Sequence, residues 1–285
     1  MTTRQRVQLG AGELTLTVSA ASHVGRVRHV NEDAMLAEPP VFAIADGMGG
    51  HSFGDRASAT AVLALHEEFD PEQPTEPDHV LAAIRRANAA VRELTAWSGD
   101  DRVIAGTTLT GVALVVEHPD AEPRWMVFNL GDSRVYSWDA AAPVARLHQL
   151  SVDHSLVQEL FDAGVIDAER ARTHPDRNII TRALGAADQV AAEVWMLPAT
   201  QPQTFLLCSD GLTKELDDDR IAAIIAEGEL GSATDRLLSA ALAAGAHDNV
   251  TIMLVSAEYR GAEQLDEQTR DRALSPELED TLPRL

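Results

Sequence analysis

The 285-residue chain has a single cysteine, only 4% aromatic residues and no long apolar run. One thiol excludes a disulfide framework within the chain and fits a reducing compartment. That residue, Cys208, closes the apolar stretch Gln203-Thr-Phe-Leu-Leu-Cys208 and is most simply a buried strand residue. No apolar stretch approaches the ~18 residues of a membrane span. Arg4 and Arg6 are not followed by an apolar core of signal-peptide length, so the expected location is cytoplasmic. Positive charge is also scarce, with 23 Lys+Arg against 45 Asp+Glu and a net charge of −22. Such a surface argues against binding nucleic acid or anionic membranes. A phosphorylated substrate would meet the same repulsion, so a site for one must concentrate positive charge locally, as metal ions do.

What is present is enough apolar material, 45% of residues, to bury a substantial core. The chain is organised around Val41-Phe-Ala-Ile-Ala-Asp-Gly-Met-Gly-Gly-His51, an apolar run that stops at Asp46. It reads as a buried strand delivering one carboxylate to a sharp turn. Gly47, Gly49 and Gly50 leave the backbone free for left-handed angles and for close approach of a ligand. A carboxylate beside a bare carbonyl suits a hard cation such as Mg²⁺ or Mn²⁺. Asp-Gly alone is also among the commonest turn signals, so this stretch by itself leaves both readings open.

Residues 1–12 read as a loose arm, and Leu14 to Ala20 alternate with strand period. A polar loop, Gly25-Arg-Val-Arg-His-Val-Asn-Glu-Asp33, carries Arg26, Arg28, Glu32 and Asp33. Ala59, Val62, Leu65 and Phe69, and then Val80, Ile84, Ala87, Val91 and Leu94, predict two helices with ordinary core faces. Strands are predicted over 107–116, 125–130 and 135–138, with Gly131-Asp-Ser-Arg134 as a tight hairpin turn that exposes Asp132. Residues 151–185 are polar and poorly patterned for a sheet, and read as a flap. Within them Leu156, Val157, Leu160 and Phe161 form a helical stripe, Gly164 is a C-cap and Asp167 an N-cap. A strand from Thr204 ends at Asp210-Gly211, two helices follow, and Asp248-Asn249 opens a last strand from Val250. Apolar periodicity stops after Glu258, so 259–285 read as an acidic, mobile tail.

Strands in two batches with helices before, between and after predict an α+β fold. The expected architecture is a four-layer αββα sandwich of two mainly antiparallel sheets, spanning 13–258 as one domain. Asp46, Asp132, Asp210 and Asp248 all stand beside strand termini, where one cleft could gather them. Carboxylates so placed repel one another unless some are protonated or cations bind between them.

Five segments, in this order and spacing, resemble the metal-dependent protein phosphatases, the type 2C serine/threonine phosphatases. They are Arg28-His-Val-Asn-Glu-Asp33, Ala45-Asp-Gly-Met-Gly-Gly-His51, Leu130-Gly-Asp-Ser-Arg134, Cys208-Ser-Asp-Gly-Leu212 and Asp248-Asn-Val-Thr251. The flap, from Asp153 through His174-Pro175 to Gly185, is similar to the bacterial branch, and the likeness runs from about Val18 to Val255. The resemblance implies a protein serine/threonine phosphatase with two Mg²⁺ or Mn²⁺ ions. Asp46 would bridge them, the Gly47 carbonyl would ligate one, and Asp210 and Asp248 would complete the other. Glu32 would act through a metal-bound water and Asp33 would support the ligands from outside. A water shared by the ions would be the nucleophile, with no covalent phospho-enzyme. Arg28 would hold the phosphate dianion, although on composition alone it could simply pair with Glu32 or Asp33.

Asp132 would serve a third metal site, unless it is only a turn residue. Lys214 stands where the family usually places an acidic ligand, which argues that this site is weakly filled or empty. Met48 replaces the histidine of many animal relatives and has no proton to give, leaving His51 or a metal-bound water as the acid. Phosphorylated proteins, basic ones above all, are the expected partners, with a cognate kinase system and a monomeric enzyme. The competing readings are a catalytically silent phosphoprotein-binding scaffold and a metallohydrolase of small phosphomonoesters. Retention of Asp46, Asp210 and Asp248 speaks against the first.

Overall fold

The structure, a computed structural model, describes residues 2–9, 12–48, 53–98, 105–118, 121–139 and 146–261. In chain order the first elements are β1 (Thr2–Leu9), β2 (Gly12–His23), β3 (Asp33–Glu38), β4 (Val41–Met48), α1 (Gly54–His66) and α2 (Pro77–Ser98). There follow β5 (Gly106–Thr107), β6 (Leu109–Val115), β7 (Arg124–Leu130), β8 (Arg134–Asp139), β9 (Arg146–Gln149), α3 (Leu156–Asp162) and α4 (Ala168–Thr173). The last are β10 (Glu193–Pro198), β11 (Gln203–Cys208), α5 (Asp210–Thr213), α6 (Asp218–Ala226), α7 (Ala233–Ala244) and β12 (Val250–Gly261).

The strands form two antiparallel sheets, ordered β1-β2-β12-β11-β8-β9 and β10-β7-β6-β4-β3, with β5 added beside the end of β4. Period-two alternation explains how they stack. On β4, Phe42 and Ile44 enter a core between the sheets with Leu14, Leu16, Trp125, Phe205 and Val255. Val41, Ala43 and Ala45 point the other way, onto Ala57, Ala61 and Leu65 of α1 and Ile84, Ala87 and Val91 of α2. On β11, Leu206 and Cys208 face a third core with Leu212, Ile221, Ile224, Ile225 and Leu237 of α5, α6 and α7. Three apolar layers between four structural ones give the expected αββα sandwich. Each fully buried large side chain contributes about 1.5–3 kcal/mol.

Several local expectations change. The presumed arm is a strand: β1 pairs with β2 from Thr2↔Ser19 to Leu9↔Gly12, burying Val7 and Leu9. The last strand runs on to Gly261, past the expected strand end at Val255 and domain end at 258, because β2 continues to offer it partners down to Gly12. Residues 262–285, the rest of the expected tail 259–285, lie outside the described residues. Gly131 to Ser133 is not a hairpin turn. It carries the chain from β7 in one sheet to β8 in the other, with Gly131 at φ 110° and packed on Thr108. The strand at Asp46 does not turn there either, since Gly47 and Met48 pair with Thr107 and Gly106 of β5. Asp210 opens the one-turn α5 rather than a plain turn. Within residues 151–185, Asp167 caps α4 as expected by accepting from the Arg170 N–H, and Gly164 takes φ 70° after α3. The apolar stripe of α3 is not buried.

Candidate metal centre and catalytic cleft

One rim of the sandwich collects the acidic residues because strands of both sheets start or stop there. Asp33 opens β3 and Asp46 lies near the end of β4, so one sheet supplies both, as register partners. Asp210 follows β11 and Asp248 precedes β12, so the other sheet supplies these two. Asp132 stands where the chain crosses between the sheets. The loop from Val24 to Glu32, another crossing, brings Arg28 and Glu32 to the same rim.

Backbone pairing fixes the central strand. The Asp46 N–H donates to Thr108 Oγ1 at 2.9 Å, and the Asp46 carbonyl accepts from the Thr108 N–H and the Thr107 hydroxyl, both at 2.9 Å. The Gly47 N–H donates to the Glu32 carbonyl at 3.0 Å, and Ser58 Oγ donates to the same oxygen. A Cβ on Gly47 would lie 2.1 Å from the Gly54 carbonyl oxygen and 2.5 Å from that of Glu32. Glycine is therefore required here by close approach and not by a left-handed angle, since Gly47 sits within a strand. Gly49, Gly50 and His51 lie outside the described residues.

Asn249 holds the loop to the other sheet. Its Oδ1 accepts from the Glu32 N–H at 2.8 Å, and its Nδ2 donates to the Val24 and Val30 carbonyls at 2.9 Å each. Ser209 Oγ accepts from the Thr251 N–H and donates to Asp33 Oδ2 at 2.8 Å, tying the sheets together beneath the carboxylates. Neither residue had a role assigned from sequence. Asn249 was visible in the Asp248-Asn-Val-Thr251 motif, but its three partners are distant in the chain.

Electrostatics at the rim are strained. Burial, then the charges of Asp33, Asp210, Asp132 and Asp248, push the Asp46 carboxyl well above the ordinary range. Burial pushes Asp132 up to about 7, with Asp210 adding to it, and pushes Asp33 up to about 6. Asp210 is raised by burial against the pull of Lys214, and Glu32 is raised by burial against Arg28. These are the marks of carboxylates close enough to repel.

Two cations already engage them. Lys214 Nζ pairs closely with Asp210 Oδ2 and reaches Asp248 Oδ2 at 3.4 Å. Arg28 Nη2 donates to Asp248 Oδ2 at 3.0 Å, so its partner is neither Glu32 nor Asp33. Among the described residues no three acidic, histidine or cysteine groups are gathered as a ready-made ligand set. Asp33, Asp132 and Asp210 nevertheless each keep a buried Oδ1 with no hydrogen-bond partner. Partnerless buried carboxylate oxygens, with no nitrogen or sulfur donor among them, fit hard divalent ions such as Mg²⁺ or Mn²⁺.

The remaining candidates fall away from the chemistry. Cys208 is fully buried, with its thiol pushed up to about 12 by burial, and is core. His154 is buried just ahead of α3, where its Nδ1 accepts from the Gly131 N–H at 3.1 Å and its carbonyl from the Thr181 N–H. His174 receives the Asp176 N–H at a helix end. Arg134 grips Asp153 through Nε and Nη2, at 2.7–3.1 Å, and anchors the Asp132 crossing. No described helix is long and apolar enough to cross a membrane.

Residues 22–245 match the family model described as protein phosphatase 2C. The serine/threonine phosphatase stp of Listeria monocytogenes is 33% identical over 239 residues, covering 81% of this chain and 92% of that one. A crystal structure of the Mycobacterium tuberculosis serine/threonine phosphatase PstP/Ppp superimposes with a TM-score of 0.74 at 34% identity, over 84% of this chain and 97% of that one. The catalytic domain of PstP in complex with two manganese ions does so at 0.74 and 33%, over 86% and 99%. The chain belongs to the protein phosphatase 2C family of metal-dependent serine/threonine protein phosphatases.

Proposed function

We propose that the chain hydrolyses phosphoserine and phosphothreonine esters of proteins at a centre held by Asp46, the Gly47 carbonyl, Asp210 and Asp248. What carries this reading is the set of mutually repelling, partly partnerless carboxylates that both sheets deliver to one rim. Bound there, two Mg²⁺ or Mn²⁺ ions would make a water acidic enough to give up a proton to solvent near neutral pH and so become the nucleophile, and would neutralise phosphate charge. The protein's own residues do the rest. Arg28, half exposed on its loop, turns a planar fork toward the cleft and can take two phosphate oxygens in line. Glu32, wedged beside Gly54, orients water, and Asp33, held by the Ser209 hydroxyl, supports the ligands from behind. Met48 cannot protonate the departing alkoxide, which leaves His51 or a metal-bound water as the acid.

A third ion at Asp132 is weakly bound or absent. Lys214 lies close enough to oppose it, and a fully occupied Mn²⁺ at Asp132 in a manganese-soaked crystal would refute that weakness. In this reading residues 13–258, joined by β1, form the catalytic unit, 151–185 form its flap, and the enzyme works as a monomer opposite a serine/threonine kinase. The charge of −22 favours basic phosphopeptides. The test is Mn²⁺-dependent release of phosphate from a phosphothreonine peptide, with p-nitrophenyl phosphate and a nucleotide alongside. Asp46→Ala and Asp210→Ala should each abolish turnover. A rate that survives both, or one confined to the small phosphomonoesters, would overturn the assignment.

A further inference from the structure

Lys214 is the only lysine in the chain, whose other basic side chains at neutral pH are all arginines. It follows the one-turn α5 and faces back over Asp210. An ordinary i,i+4 pair on a helix would engage Asp210 alone. Here the ammonium also reaches Asp248, 34 residues further on and from the start of β12, at 3.4 Å, and meets the same Oδ2 atom that Arg28 holds. Asp210 meanwhile leaves its buried Oδ1 without a partner. The contact is therefore one compact cation laid across two carboxylates that come from separate elements. An arginine fork in this place would lock onto one carboxylate in a plane. An ammonium on a flexible stem is a point charge that can bridge two groups and then leave. Its side chain is partly exposed, so a path to solvent exists.

We propose that Lys214 is a tethered cation that stands in for a metal ion. In the metal-free enzyme it draws Asp210 and Asp248 together, and it is displaced when an ion takes both carboxylates. Metal affinity at this position is then set by competition with an ammonium the chain itself supplies, which makes the enzyme demand more Mn²⁺ or Mg²⁺ than a charge-free side chain would allow. This rests on the assignment of Asp210 and Asp248 as ligands.

The test uses the full chain and two readouts besides turnover. Mn²⁺ binding, followed by the electron paramagnetic resonance signal of free Mn²⁺, should be about tenfold tighter or more in Lys214→Met than in wild type. Selective ¹³C-lysine labelling gives a single ε-CH₂ cross-peak, and in the wild-type chain it should move to a solvent-like position as Mg²⁺ is added. Equal Mn²⁺ affinities in wild type and Lys214→Met, or a cross-peak that stays in place through saturation, would overturn the proposal while leaving the metal centre intact. Failure of wild type and variant alike to bind Mn²⁺ would remove the ligand assignment, and the proposal with it. The labelled wild-type chain decides the matter even where the methionine variant does not fold.

Discussion

Asp33 and Asp46 are direct partners across the β3–β4 ladder, two carboxylates in the one sheet position where like charges are least welcome. A strand pair selected for stability would not place them so. Ser209 Oγ, donating to Asp33 Oδ2 from the opposite sheet, offsets only part of the cost.

Replacing Asp33 by Asn keeps the shape and removes one charge. Metal-free Asp33→Asn should melt above the metal-free wild type, because Asp46 loses its nearest repulsion. Its metal affinity or kcat/KM should fall by roughly 10- to 100-fold, the usual effect of losing a partner behind a ligand. Calorimetry with and without Mn²⁺ checks both signs; a lower melting temperature together with unchanged activity would contradict the account.

The pH dependence follows from the same crowding. Asp33 and Asp132 have folded-state values of about 6 and about 7, above the unfolded 3.8. Stability drawn from their protonated forms is complete below about pH 4 and is lost as the pH rises through 6 and 7. An EDTA-treated sample should therefore lose melting temperature between pH 5 and 8. Saturating Mg²⁺ should flatten that decline, since ions favour the ionised groups. A decline of the same size with the ion present would count against carboxylate repulsion as its source.

Asn249 closes the loop that carries Arg28 through three hydrogen bonds from one buried side chain. Asn249→Ala should cost about 2–4 kcal/mol of stability. It should also raise KM for a phosphopeptide more than it lowers kcat, because the loop would no longer hold Arg28 over the cleft. Urea denaturation and steady-state kinetics separate the two effects.

A methyl group at position 47 would collide with two backbone oxygens, neither of which can yield without moving α1 or the loop before β3. Gly47→Ala should cost about 1–3 kcal/mol or more. In a chain of this size that is a fall in melting temperature of roughly 2–5 °C or more. A variant as stable as wild type would mean that this approach is looser than described.

Much of this was legible in the sequence, for reasons that can be located. The alternation of Phe42 and Ile44 against Val41, Ala43 and Ala45, and the helical stripes from Ala59 and Val80, announce buried faces directly, and the acidic residues beside strand ends announce a cleft. Other features depend on partners distant in the chain. Thr2 to Leu9 is polar on one side and becomes a strand only because β2 lies beside it. Glu193 to Pro198 forms an edge strand with little burial and no clear pattern. Gly131-Asp-Ser133 has the local chemistry of a hairpin, and only the sheet order reveals a crossing. Lys214 stood out as an exception to a motif, but its bridge to Asp248 needs the fold.

The long last strand has a practical consequence. From Val250, beside the cleft, to Gly261, paired with Gly12, β12 runs roughly 36 Å straight away from the reacting end. A fluorescent protein or affinity handle fused after Gly261 would leave the body at the pole opposite the incoming phosphopeptide, so tethered versions of this phosphatase can be built without crowding their own substrate.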